Sequence, residues 1–123
     1  MEYNCIYGHT YILYKSLNKT MKCAIPDDNN TDKPVYITEN GIADDSDTRR
    51  AKFIEDHLLV LNKMISEGMN IKGYFYWSLI DNFEWAHGFE KRFGLYYVDY
   101  STQERTLREG SRKYIEIMEK SRE

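Results

Sequence analysis

Residues 35–41 read Val35-Tyr36-Ile37-Thr38-Glu39-Asn40-Gly41, and residues 71–79 read Ile71-Lys72-Gly73-Tyr74-Phe75-Tyr76-Trp77-Ser78-Leu79. The first is a short apolar run stopped by a carboxylate and an Asn-Gly turn signal. The second is aromatic and aliphatic without clean alternation, as expected of a strand buried on both faces in a parallel sheet. Between them Ala51, Ile54, Leu58, Leu61 and Ile65 fall on one stripe at helical spacing. Asp44, Asp45, Ser46 and Asp47 offer N-cap oxygens before a helix that should start near Thr48. Gly68 stands where a left-handed C-terminal cap belongs. Strand, helix, strand predicts a right-handed βαβ unit and hence an α/β fold.

Working outward, Tyr7, Tyr11, Tyr14 and Leu17 recur at helical spacing and predict a first helix. The polar loop Pro26 to Lys33 then leads into Pro34 and the first strand. Downstream, residues 94–100 and 105–107 predict a hairpin closed by the turn Ser101-Thr102-Gln103-Glu104. Leu107, Ser111, Tyr114 and Met118 mark a closing amphipathic helix.

Composition narrows the function. The 123 residues carry 17 basic and 20 acidic side chains with no basic stripe, which disfavours nucleic-acid binding. No apolar run approaches the roughly 18 residues of a membrane span, and the Met-Glu-Tyr-Asn-Cys start lacks a secretory pattern, so the expectation is a cytoplasmic protein. Cys5 and Cys23 stand in no metal spacing and read as reduced thiols; His9, His57 and His87 are singletons, so neither metal nor cofactor is expected. Nucleotide-binding glycine loops and the serine-hydrolase elbow do not occur. The acidic run at 44–47 reads as a solvated cap.

Two features could carry chemistry, both just past the end of an expected parallel strand, where α/β folds place their sites. Glu39 ends a buried apolar strand, and its desolvation needs a reason: a functional carboxylate, or a cap on the following loop. Residues 77–85, Trp77-Ser78-Leu79-Ile80-Asp81-Asn82-Phe83-Glu84-Trp85, set two indoles and two carboxylates around an apolar stretch. Such mixtures recognise sugars, because an indole face stacks on a pyranose while a carboxylate accepts hydrogen bonds from adjacent hydroxyls. A core tryptophan, a surface tryptophan and an exposed acid would give the same string. Phe89 and Phe93 would wall a pocket or simply pack.

Three segments together, 35–41, 73–85 and Arg92-Phe93-Gly94-Leu95-Tyr96-Tyr97-Val98-Asp99-Tyr100, resemble the C-terminal end of family 1 glycoside hydrolases, the β-glucosidase/β-galactosidase family. The Glu-Asn-Gly-Ile-Ala-Asp-Asp form after the first strand is most similar to archaeal-type members. The resemblance covers about Pro34 to Met118 and implies the C-terminal quarter of a (β/α)8 barrel, its last two parallel strands with flanking helices, incomplete as an isolated domain. Residues 1–33 would be the helix and polar loop before the seventh barrel strand, and 34–123 the barrel portion. Carried over, the resemblance makes Glu39 the catalytic nucleophile. Trp77, Glu84, Trp85 and Phe93 become substrate-binding residues, and Asn40, Asp81 and Asn82 supporting ones. His87 occupies a place where the family usually has a smaller or apolar residue.

The implied activity is retaining hydrolysis of β-glucosides or β-galactosides. The family's Asn-Glu-Pro acid/base motif has no counterpart in the 123 residues, which contain neither an Asn-Glu nor a Glu-Pro pair. The chain alone is therefore expected to be inactive and marginally folded. It would be the end of a truncated or split gene, or complete a barrel with a complementary N-terminal fragment. The alternative is a non-catalytic sugar-binding or inert interaction fragment.

Overall fold

The computed structural model describes the main chain of residues 12–16 and 19–23 and the whole of residues 34–121. They fall into two compact units, Met1–Asn40 with His57–Phe75, and Gly41–Asp56 with Tyr76–Glu123.

The first unit begins with strands β1 (Ile12–Ser16) and β2 (Lys19–Cys23), antiparallel and in register from Ile12 opposite Cys23 to Ser16 opposite Lys19. This overturns the helix expected around Tyr14. Ile12, Tyr14 and Thr20 are β-branched or aromatic types that suit extended chain as well as a helix, and the two segments find partners in one another. Tyr7, Tyr11, Leu17, Cys5, His9 and the polar loop at 26–33 lie outside the described residues.

Strands β3 (Val35–Asn40) and β4 (Ile71–Tyr76) share one sheet. The Val35 N–H donates to the Asn70 carbonyl at 2.9 Å, and at the far end the Tyr74 hydroxyl donates to the Asn40 side chain at 2.9 Å. Both contacts advance in the same direction along the two strands, so β3 and β4 run parallel, as the sequence predicts. β4 ends at Tyr76, three residues before the expected Leu79.

The crossover is helix α1 (Arg50–Ser66), which starts two residues later than expected. Ile37 of β3 packs with Leu61 and Met64 of α1, flanked by Val35, Leu58, Val60, Met69, Ile71 and Tyr74. Ile65, expected on the buried stripe, is exposed, and Met64 takes the core position. The helix end explains the choice. Gly68 has φ +98°. Its N–H donates to the Ile65 carbonyl (3.0 Å), and the Met69 N–H donates to the Met64 carbonyl (3.1 Å). This is a Schellman cap, which turns Met69 back onto Met64.

In the second unit, β5 (Tyr96–Val98) and β6 (Arg105–Leu107) form the expected antiparallel hairpin, with Tyr97 opposite Thr106. Asp99 shapes its turn, accepting from the Ser101 N–H (2.8 Å) and the Ser101 hydroxyl (2.6 Å). These bonds also hold the exposed Asp99 carboxyl below its usual range. A single parallel bridge joins Ile80 to Tyr96. A 3-10 turn at Glu109–Ser111 leads into α2 (Arg112–Lys120), the closing helix.

Asp44 departs from the expected solvated cap. It is only 2% exposed, and its Oδ2 accepts from the backbone N–H groups of Arg49 (2.8 Å) and Arg50 (3.0 Å) at the start of α1. Burial raises its pKa, but the Arg49 N–H, the Ser46 hydroxyl and the Arg49 and Arg50 charges outweigh that, leaving the carboxyl below its ordinary value. Asp45 and Ser46 are exposed, as expected.

Candidate functional site

Glu39 is half-buried at the end of β3, in the first unit. Its neighbour Asn40 is clamped, since the Tyr74 hydroxyl reaches both the Asn40 side-chain oxygen (2.9 Å) and its carbonyl (3.4 Å). The strand end that carries Glu39 is thereby tied to β4. The next residue, Gly41, belongs to the second unit. A Cβ there would stand 1.7 Å from the Trp77 carbonyl oxygen, so no residue with a side chain fits without moving backbone.

The second unit holds the remaining candidates. Past β4 the chain leaves strand geometry, and the Trp77–Ser78 peptide is cis. The half-buried Trp77 donates its indole N–H to the Glu84 carboxylate at 3.4 Å. That contact holds one oxygen of the Glu84 carboxylate beside the indole ring. The Glu84 N–H donates to the Gly88 carbonyl (2.7 Å), and the Glu84 carbonyl accepts from the His87 N–H (2.8 Å). Around this closure a 3-10 turn, Trp85–His87, presents Trp85 to solvent at 79% exposure. Trp85 has φ +44°, an unusual backbone for a bulky side chain and one that clusters at functional sites. His87 is exposed.

Asp81 and Asn82 are both tied by hydrogen bonds to the backbone around them. Asp81 is 2% exposed; its Oδ1 accepts from the Gly94 N–H (2.8 Å), and its Oδ2 from Arg108 (3.0 Å), Val98 N–H (3.3 Å) and Arg92 (3.4 Å). Asn82 donates to the Ile80 carbonyl (3.3 Å), and its own carbonyl accepts from the Tyr100 hydroxyl (3.3 Å). Phe93, half-buried, follows Arg92 in the same network. The Arg92 guanidinium lies 4.2 Å from the Tyr100 ring centroid, and Phe89 packs on Tyr100 at 4.5 Å. Phe89 thus packs, although it is still 52% exposed.

The residues missed in the sequence are the arginines. Arg50 is fully buried and donates to six oxygens. The Asp47 carboxylate (2.7 Å), the Tyr76 hydroxyl (2.6 Å) and the Asp44 carbonyl (2.7 Å) are the nearest. Burial pushes the Tyr76 phenol up despite that guanidinium, so it stays protonated. Asp47 has φ +56° and also accepts from the Gly110 N–H (2.7 Å). The only sequence signal was the Asp47/Arg50 spacing at one helix turn, which reads equally as a surface pair.

A family model described as glycosyl hydrolase family 1 matches residues 9–123. The chain belongs to glycosyl hydrolase family 1. The β-galactosidase of Pyrococcus woesei is 54% identical over 78 residues, covering 63% of this chain and 15% of that protein. The solved β-glycosidase from Pyrococcus horikoshii is 52% identical at a TM-score of 0.67, over 69% of this chain and 20% of that one. A family 1 β-glucosidase from Thermotoga maritima, solved in complex with isofagomine lactam, is 43% identical at a TM-score of 0.64, over 70% of this chain and 22% of that one. This family 1 chain therefore matches between 15% and 22% of the length of these relatives. Among its described residues the strands form three two-stranded sheets, and no helix is long and apolar enough to cross a membrane.

Proposed function

We propose that the chain takes part in hydrolysis of β-glucosides or β-galactosides by retaining double displacement, as the C-terminal quarter of a (β/α)8 barrel. Glu39, ending the seventh strand, is the nucleophile. Trp77 forms the floor of the glycone subsite, Glu84 takes two hydrogen bonds from the outer hydroxyls, Trp85 donates its indole N–H, and Phe93 lines the pocket. Asn40, Asp81 and Asn82 support them.

The chemistry follows from two carboxyl groups about 5–5.5 Å apart. Glu39 attacks the anomeric carbon as the bond to the leaving oxygen breaks, and an acid outside these 123 residues gives that oxygen its proton. The same group then takes a proton from water, which attacks the anomeric carbon and releases Glu39. A complementary N-terminal barrel fragment is the source of that acid/base.

The observation that carries the reading is the Trp77 indole bonded to Glu84, beside an exposed Trp85, in a chain of this family. The test is to mix the chain with an N-terminal polypeptide of a family 1 enzyme and follow 4-nitrophenyl β-glucoside and β-galactoside hydrolysis. Turnover is expected, and Glu39→Gln is expected to abolish it; undiminished turnover in that variant refutes the nucleophile.

One observation favours a second reading, sugar binding without catalysis. Trp77, Glu84, Trp85 and Phe93 all belong to one compact unit, which does not include Glu39. Isofagomine lactam titrated into the chain alone would then shift its tryptophan fluorescence, and Trp85→Ala would lose the response.

A further inference from the structure

The buried Arg50 holds the backbone that carries the sugar-site residues rather than any part of a ligand. Its Nη1 donates to the Phe93 carbonyl (3.0 Å) and the Ile42 carbonyl (3.3 Å), and its Nη2 to the Asp44 carbonyl (2.7 Å) and the Arg92 carbonyl (3.3 Å). The same two loop carbonyls are held from the other side, Phe93 by the Ser78 N–H (3.4 Å) and Arg92 by the Asp44 N–H (3.0 Å). Ser78 directly follows Trp77. One guanidinium thus sets three segments against each other: 42–44, 76–78 through the Tyr76 hydroxyl, and 92–93.

The chemistry of the donor matters. Arginine spreads five N–H donors over a rigid plane, whereas lysine offers three from a point. The six oxygens around Arg50 need that plane. Burying the Arg50 charge carries a desolvation cost that these converging oxygens offset, and an apolar side chain in its place would leave them without that donor.

We propose that Arg50 is the positioning residue of the glycone pocket, setting the Arg92–Phe93 backbone against Trp77–Ser78. This rests on the sugar-site reading above. Arg50 touches no substrate and acts through Phe93 and Trp77.

The chain has only two tryptophans, Trp77 and Trp85, so its near-ultraviolet circular dichroism reports this loop without a ligand. Arg50→Lys is compared with Ile54→Ala, a fully buried apolar truncation on the same helix that removes none of these hydrogen bonds. The expected result is a diminished tryptophan band and about tenfold weaker isofagomine lactam binding in Arg50→Lys, the effect of one lost charge-assisted hydrogen bond. Ile54→Ala should lower the melting temperature but keep both. Asp47→Asn is a milder companion, since Asn tolerates the left-handed backbone while the anion opposite Nε is gone. It should diminish the same band if Arg50→Lys does not fold.

An unaltered tryptophan band in the Arg50 and Asp47 variants overturns the positioning role, as does equal loss in Ile54→Ala. A wild-type chain that fails to bind isofagomine lactam overturns the binding reading instead, while the tryptophan band still decides Arg50.

Discussion

Asp81→Asn removes one negative charge from a site where nothing else can replace it. The carboxylate is buried and accepts four hydrogen bonds, two of them from the Arg108 and Arg92 guanidinium groups. Arg108 is itself only 7% exposed, and its Nε has no partner among the described residues. Its other acidic neighbour, Asp45, is 3.8 Å away on a carboxylate that is 75% exposed to water. Neutralising Asp81 therefore leaves a buried cation almost uncompensated, a change that costs about 3–5 kcal/mol. Asparagine keeps an oxygen for the Gly94 N–H, which places the expected loss near the lower end, about 3 kcal/mol, or about 12 °C in the melting temperature of a 123-residue chain. Urea unfolding followed by tryptophan fluorescence reads this directly, because both indoles lie in the same unit as Asp81. Removing both charges, in Asp81→Asn with Arg108→Met, should recover more than half the loss. A loss below about 0.5 kcal/mol in the single variant, the level of an ordinary surface change, would refute the claim that Asp81 holds this loop.

Two further outcomes follow from the fold. Because Asp44 titrates below its ordinary value in the folded chain, its contribution is fully present above the unfolded carboxyl's pKa of about 4 and is lost as pH falls through the lower folded value. Stability measured from pH 6 down to 2 should fall through this window, and Asp44→Asn should flatten that part of the curve; an unchanged slope counts against the cap. At Gly68 an added Cβ meets nothing within 4 Å, so Gly68→Ala should cost only the strain of φ +98°, about 1 kcal/mol by urea melting, with Gly68→Asn costing less. Equal stability of all three would show that the left-handed cap is not what ends α1.

Much of the βαβ frame was legible because its signals are local. The apolar run at 35–37, the stripe along α1 and the left-handed Gly68 each act within a turn or two of chain. The hairpin at 96–107 was legible for the same reason, since Asp99 and its neighbours close the turn among themselves. The segment around Tyr14 was not, because tyrosines suit both strand and helix and the deciding partner was the neighbouring strand. At the candidate site, the string from Trp77 to Trp85 named the aromatic and acidic members, and the structure joins Trp77 to Glu84.

By itself, then, the sequence determined the types and order of the main elements from residue 34 onward, and placed the aromatic and acidic residues of 77–85 together. Tertiary structure alone decided which charges are buried. Asp44, Arg50, Asp81 and Arg108 look in sequence like members of an ordinary charged surface, yet each is withdrawn from water. Arg50 is satisfied by oxygens at 42, 44, 47, 76, 92 and 93, and Asp81 by donors at 92, 94, 98 and 108. A charge can be buried only where partners converge on it, and these come from segments up to 43 residues away in the chain, beyond the reach of any local pattern.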